Sequence, residues 1–318
     1  MKKLTSILTA VILFSFFYSS IAQTKIEFKE VANMKSDRFG MGYTSDGEQI
    51  FAVGGGIGFD PFLSNSIESF DPKSGEWKIL SKGLGRKRYC NAEHIPLNNK
   101  IYIFNGESMG SGFRAYSKRV EIFDVKTKQL TTLENNPYPV KSAGSVVYNN
   151  KIYVFGGQHI NGVSDKFFEF DPLTNEWKSL TPMPKSKQTC GKVVGDLLYV
   201  IGGYDGAQML KSVDVYDFKK NSWERIAELP KRVSAHALAV NGNDIWIIGA
   251  YDDNDYLACF NTVTKVTTEF ENNMKGRRHA GAYVLNNVLY IFGGSKNSYN
   301  SSAMFSAEAL DLVKINNN

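Results

Sequence analysis

Cysteine and histidine are scarce in this chain of 318 residues: three of the first and four of the second. An odd cysteine count cannot form a complete disulfide framework. Cys90, Cys190 and Cys259 therefore read as small buried residues. His94, His159, His236 and His279 include no HExxH pair, and no CxxC occurs, so neither a metal nor another cofactor is implied. No serine is singled out as a nucleophile. After the first 22 residues no apolar run is long enough to span a bilayer. No low-complexity or strongly acidic tract argues for disorder.

The first 22 residues have their own pattern. Lys2 and Lys3 give a charged start, an apolar stretch follows from Leu4 to Tyr18, and Ser20-Ile21-Ala22 supplies small residues. This reads as a cleavable signal peptide over residues 1–22, with 23–318 as the working domain. It predicts an exported protein, periplasmic or secreted. Loss of two lysines would leave a net charge of +3, too weak for a nucleic-acid footprint.

Against these absences stands one repeated phrase, a short apolar run ending in two small residues. The copies are QIFAVGG, KIYIFNG, KIYVFGG, LLYVIGG, DIWIIGA and VLYIFGG, spaced 44 to 51 residues apart. A β repeat of about 50 residues with a diglycine describes a propeller blade. No helix-forming segment and no Lys-Ser/Thr follows the glycines. They therefore read as places where sheets approach closely, not as phosphate loops.

Each repeat has four parts. A strand follows a basic residue (Arg38, Arg88, Lys141, Lys187, Arg232, Arg278), then comes the apolar strand. A third strand ends in Asp71, Asp124, Asp171, Asp217, Asn261 or Asp311, and a turn leads into a fourth. In DPKSGEW, DPLTNEW and DFKKNSW the Asp closes the turn on backbone N–H groups, and Gly75, Asn175 and Asn221 tolerate left-handed backbone. The Trp that follows should pack on the neighbouring sheet. Strand, diglycine, Asp turn and Trp together resemble the kelch repeat over essentially all of residues 23–318. The resemblance implies an all-β, six-bladed kelch β-propeller. Repeats two and five depart from it, with Leu130 and Val266 where Trp is expected, and should pack less firmly.

The ends predict how the ring closes. EFKEVANM, residues 27–34, matches the fourth-strand phrase EWKSLTPM, whereas the last repeat stops after its third strand. The N-terminal strand should complete the last blade.

Two loop families should share one mouth. The loops between repeats carry fourteen basic residues: Lys35, Arg38, Lys82, Arg86, Lys87, Arg88, Lys141, Lys185, Lys187, Lys231, Arg232, Lys275, Arg277 and Arg278. The loops after the small pairs offer Phe59, Asp60, Phe62, Glu107, Arg114, Gln158, His159, Tyr204, Asp205, Tyr251, Asp252 and Tyr299. A basic funnel edged with aromatic rings favours an anionic glycan or an acidic protein partner. Arg38, Arg88, Gln158, Tyr204, Arg232, Tyr251 and Arg278 are the candidate ligand contacts. A second reading rests on NGESMGSGFR, residues 105–114, which is similar to a segment of the exported sialic acid mutarotases. That resemblance implies Glu107 as acid/base and Arg114 as a carboxylate contact. Its spacing differs from that family's by one residue, and the long insertions of that family are missing.

Overall fold

The computed structural model describes residues 25–58, 63–110, 113–296 and 303–315. The leader assigned to residues 1–22 lies outside them, as do the loop residues Phe59, Asp60, Phe62 and Tyr299.

The apolar runs form the second strands of six four-stranded antiparallel sheets. Blade 1 comprises Gly42–Ser45, Ile50–Val53, Ile67–Asp71 and Glu76–Ser81. Blade 2 comprises Asn91–Ile95, Lys100–Phe104, Val120–Asp124 and Leu130–Leu133. Blade 3 comprises Gly144–Tyr148, Lys151–Phe155, Phe167–Asp171 and Glu176–Ser179. Blade 4 comprises Gln188–Val194, Leu197–Tyr204, Leu210–Asp217 and Ser222–Val233. Blade 5 comprises Ala237–Asn241, Asp244–Ile248, Leu257–Asn261 and Thr267–Glu269. Blade 6 comprises Gly281–Leu285, Val288–Phe292 and Ala307–Asp311, and its fourth strand is the N-terminal Lys29–Val31. In that last pairing Lys29 faces Ala309 and Val31 faces Ala307. The first strand of each blade contacts the first strands of both neighbours, so the ring is closed.

The core follows from this geometry. Each sheet is apolar on both faces, and six apolar clusters lie between successive blades. The three tryptophans that follow the turns reach backward across these seams. Trp77 meets Phe292 at 5.4 Å, Trp177 meets Phe104 at 6.3 Å and Trp223 meets Phe167 at 5.4 Å. Phe28 of the N-terminal segment is buried between blades 5 and 6. Blade 2 uses Leu130, packed against the seam with blade 1. In blade 5 Val266 is exposed, and Phe270 stacks on Trp246 instead.

The turns form as their residues require. Asp71 accepts from Lys73 N–H at 2.8 Å and Asp171 from Leu173 N–H at 2.9 Å. Asn261 does the same for Val263 in blade 5 at 3.1 Å. Asn175 takes φ 60° and Asn221 φ 53°.

The small pairs join one blade to the next. The second glycine donates its N–H to the loop entering the following blade: Gly55 to Lys87, Gly106 to Val140, Gly157 to Lys187 and Gly294 to Arg38, at 2.7–2.9 Å. At Gly249, φ is +65° and a Cβ would lie 2.0 Å from the Arg277 carbonyl, so only glycine fits.

Candidate functional site

The loops between blades and the loops after the small pairs meet at one end of the ring. Isolated bridges tie Arg88 to Glu107, Lys141 to Gln158 and Arg278 to Ser295. The former family makes an inner collar of backbone. Gly40 N–H donates to the His279 carbonyl at 2.9 Å and His279 N–H to Ala235 at 2.7 Å. Ser142 N–H donates to Tyr89 and Thr189 N–H to Ser142, both at 3.3 Å, and Tyr89 N–H donates to Gly40. Tyr89, Ser142, Ala235 and His279 hold φ between 51° and 56°, a left-handed conformation that is uncommon for such residues. Strain of this kind gathers where a surrounding structure over-determines a site.

The collar surrounds a cavity of about 780 Å³ that enters the central channel. Its wall carries amides, hydroxyls and rings, among them Asn91, Ser145, Gln188, Tyr89 and Tyr204. Of the candidate contacts, Gln158, Tyr204, Arg232 and Tyr251 line it. Gln188 donates to the Gln158 side chain at 3.0 Å, linking blades 3 and 4. Arg232 is exposed and donates to the Gln208 side chain and the Met209 carbonyl, both at 2.9 Å. Tyr204 donates its hydroxyl to the Gly206 carbonyl at 2.8 Å. The Arg278 guanidinium lies 4.1 Å from the Tyr251 ring centre, a cation–π contact that leaves Tyr251 45 % exposed.

Arg38 is corrected by the structure. It is 0 % exposed and does not reach the mouth. Its guanidinium pairs with Glu68 on the third strand at 2.5 Å and donates to the Gly54 carbonyl at 2.8 Å. Arg277 repeats this in blade 6, with Glu308 and the Gly293 carbonyl. Lys87 pairs with Glu121 at 2.6 Å and Lys187 with Asp214 at 2.7 Å. These four cations stitch the blade interior. At the same place blades 3 and 5 carry Val140 with Phe168 and Val233 with Ala258. The expected crowd of fourteen rim cations is thus smaller, and it is also partly neutralised: Lys185 meets Asp205 at 2.7 Å and Lys231 meets Asp253 at 3.1 Å. The bound lysine holds the Asp205 carboxyl below the usual carboxylate range.

Glu107 is buried at 4 % exposure beside the cavity. Arg88 donates to it at 3.0 Å, and Lys141 lies 3.5 Å from its other oxygen. Arg114 belongs to strand Phe113–Tyr116 and faces Met109 across a hairpin; its side chain is outside the described residues. The letters Gly106-Glu107-Ser108-Met109-Gly110 spell GxSxG. All but Gly106 form the first strand of that hairpin, Glu107–Gly110, not the strand-to-helix elbow that exposes a nucleophile.

Sequence reasoning missed the cavity's inner end. Tyr43, Glu93, Ser145 and Lys192 line it from the first strands of blades 1 to 4. Charges on innermost strands, where other repeats place apolar or small residues, were the available signal. Cys190 also lines the cavity and is half-buried, as is Cys259, so only Cys90 is the buried residue expected. All three are free thiols. Cys190 Sγ meets His236 Nε2 at 3.2 Å. Burial pushes that thiol up to about 12 and His236 down to about 4, the opposite of an activated thiolate pair.

A family description, the KLHDC2/KLHL20/DRC7 Kelch-repeats domain, matches residues 40–249 and 179–294. Spermatocyte protein spe-26 of Caenorhabditis elegans is 31 % identical over 195 residues, 58 % of this chain and 33 % of that protein. Kelch-like protein 38 of Homo sapiens is 30 % identical over 244 residues, 71 % of this chain and 39 % of that protein. The chain spans about a third of the length of such curated relatives. The solved structure of YjhT superposes with a TM-score of 0.75 at 16 % identity, covering 87 % of this chain and 95 % of that one, a likeness of fold. Repeat phrase, blade geometry and these matches place the chain in the kelch-repeat family.

Proposed function

We propose that this chain is a non-catalytic binding propeller that receives an acidic segment of a partner protein at its mouth. The observation that carries the reading is the collared cavity of about 780 Å³, walled by hydrogen-bonding side chains and bordered by Arg232, Lys141 and the Arg278–Tyr251 stack. Rigid blades hold the loops, so the mouth is formed before the partner arrives. Tyr and Arg are good anchors for a protein surface. The leader pattern supports a place of action outside the cytoplasm.

The mutarotase reading puts chemistry on Glu107. That carboxylate is buried and held between Arg88 and Lys141, which favours a role in fixing the loop. Exchange of N-acetylneuraminate anomers, followed by NMR, should run no faster with the protein than with Glu107→Gln.

The binding reading is tested by anisotropy with a labelled Asp/Glu-rich peptide and its amide counterpart. Single exposed ion pairs contribute about 0.2–1 kcal/mol, so a double change is needed. Binding of the acidic peptide should weaken with salt and fail in Arg232→Glu combined with Arg278→Gln. Equal binding of both peptides, or an unaffected double variant, would refute the proposal. Preference for a polyuronate over the peptide would assign the mouth to a glycan instead.

A further inference from the structure

Four side chains from different blades converge at the inner end of the cavity. Lys192 of blade 4 crosses the channel to the rings of Tyr43 in blade 1 and Tyr283 in blade 6, 5.3 Å and 5.8 Å from their centres. The Tyr43 hydroxyl reaches the backbone of Leu238 in blade 5. Glu93 of blade 2 accepts from Ser145 of blade 3 at 2.6 Å, and Asn91 donates to that serine at 3.0 Å. Tyr43, Glu93, Ser145 and Lys192 all line the cavity.

Lys192 has no ion-pair partner among the described residues. This contrasts with Lys87 and Lys187, which are matched inside their blades. A cation in the cavity wall, set against ring faces with Glu93 as its nearest acidic influence but no ion pair to it, has unused capacity for an anion. We propose that the inner part of the cavity is a carboxylate subsite in which Lys192 binds the anion and Glu93, as a carboxylic acid, donates a second hydrogen bond. One ammonium matches a monoanion better than a phosphate dianion. This rests on the mouth being a binding site, but names a different set of residues.

The surroundings support that protonation state. Burial pushes the Glu93 carboxyl up to about 7 and pulls Lys192 below the usual lysine range, and the attraction between the two groups only partly offsets each shift. The other titratable groups facing the layer are Tyr43, Tyr283, Cys190, His236 and His279. Burial raises the two tyrosines and the thiol and lowers the histidines to about 4 and about 3. Glu93 therefore changes charge near neutrality. Its ionisation places a like charge beside the ligand, so affinity should fall as pH rises through about 7.

The carboxylate could belong to a free small acid or to a partner's Asp or Glu, and the test separates them. Calorimetry with glucuronate and with methyl glucoside provides one arm, and the labelled acidic peptide and its amide counterpart the other. Lys192→Met should weaken the acid by about tenfold or more in at least one arm and leave the uncharged probe unchanged, as expected for a hydrogen-bonded charge. Lys192→Arg should restore part of the loss, and Glu93→Gln should flatten the pH dependence. Loss with glucuronate alone assigns the subsite to a free acid, and loss with the peptide alone to a partner side chain. Equal affinity of wild type and Lys192→Met in both arms, or no acid binding by wild type, overturns the subsite. Peptide binding that survives Lys192→Met but fails in the Arg232/Arg278 double variant would leave the mouth reading intact.

Discussion

At the residue scale, adjacent basic residues do opposite jobs. In Lys87-Arg88 and Arg277-Arg278 the first residue enters the blade and pairs with an acid on the third strand, while the second flanks the mouth. Blade 1 has Arg38 at the inner position and Phe39 at the outer one, which is why Arg38 is buried. The covariation of cation with acid, and of valine with an apolar partner, is written in the repeats. Reading all fourteen basic residues as one rim set concealed it. Arg277→Val should cost about 3–5 kcal/mol in urea unfolding, because it leaves Glu308 buried without its partner. Adding Glu308→Ala, which copies Val233 and Ala258 of blade 5, should recover most of that loss. A single variant as stable as wild type would show that the pair does not hold the blade.

At the element scale, the apolar strands, Asp turns and tryptophan seams follow from local rules, and the repeat phrases locate them. What local rules do not give is the lumen. Whether Glu93 or Lys192 points into a channel depends on how far six sheets rotate about their axis, which no single repeat encodes. The blade 5 departure also resolves only in three dimensions, where Phe270 covers Trp246 from a position no Trp alignment marks. Trp77 is 2 % exposed and closes the seam between blades 6 and 1. Trp77→Ala should cost about 3–5 kcal/mol, read from the denaturation midpoint. A loss below about 1 kcal/mol would mean that the seam can collapse around the cavity.

At the scale of the whole molecule, the N-terminal segment makes the ring cooperative. Lys29–Val31 covers the outer edge of blade 6, and Phe28 and Ile26 fill the seam with blade 5. Without residues 25–34 an unpaired strand edge and an apolar seam would face water, which promotes edge-to-edge association. Such a truncation should aggregate in gel filtration and lose its sharp melting transition; a monomeric, normally melting product would contradict the closure. The central claim is that recognition occurs at the collared mouth and not on the opposite face. Hydrogen–deuterium exchange with and without bound acidic peptide tests it most directly. Protection should appear in residues 89–91, 188–192, 232–236 and 278–280 and be absent from the distal turns at 72–75, 172–175 and 262–265. Protection of those turns, with the mouth segments unchanged, would contradict the account.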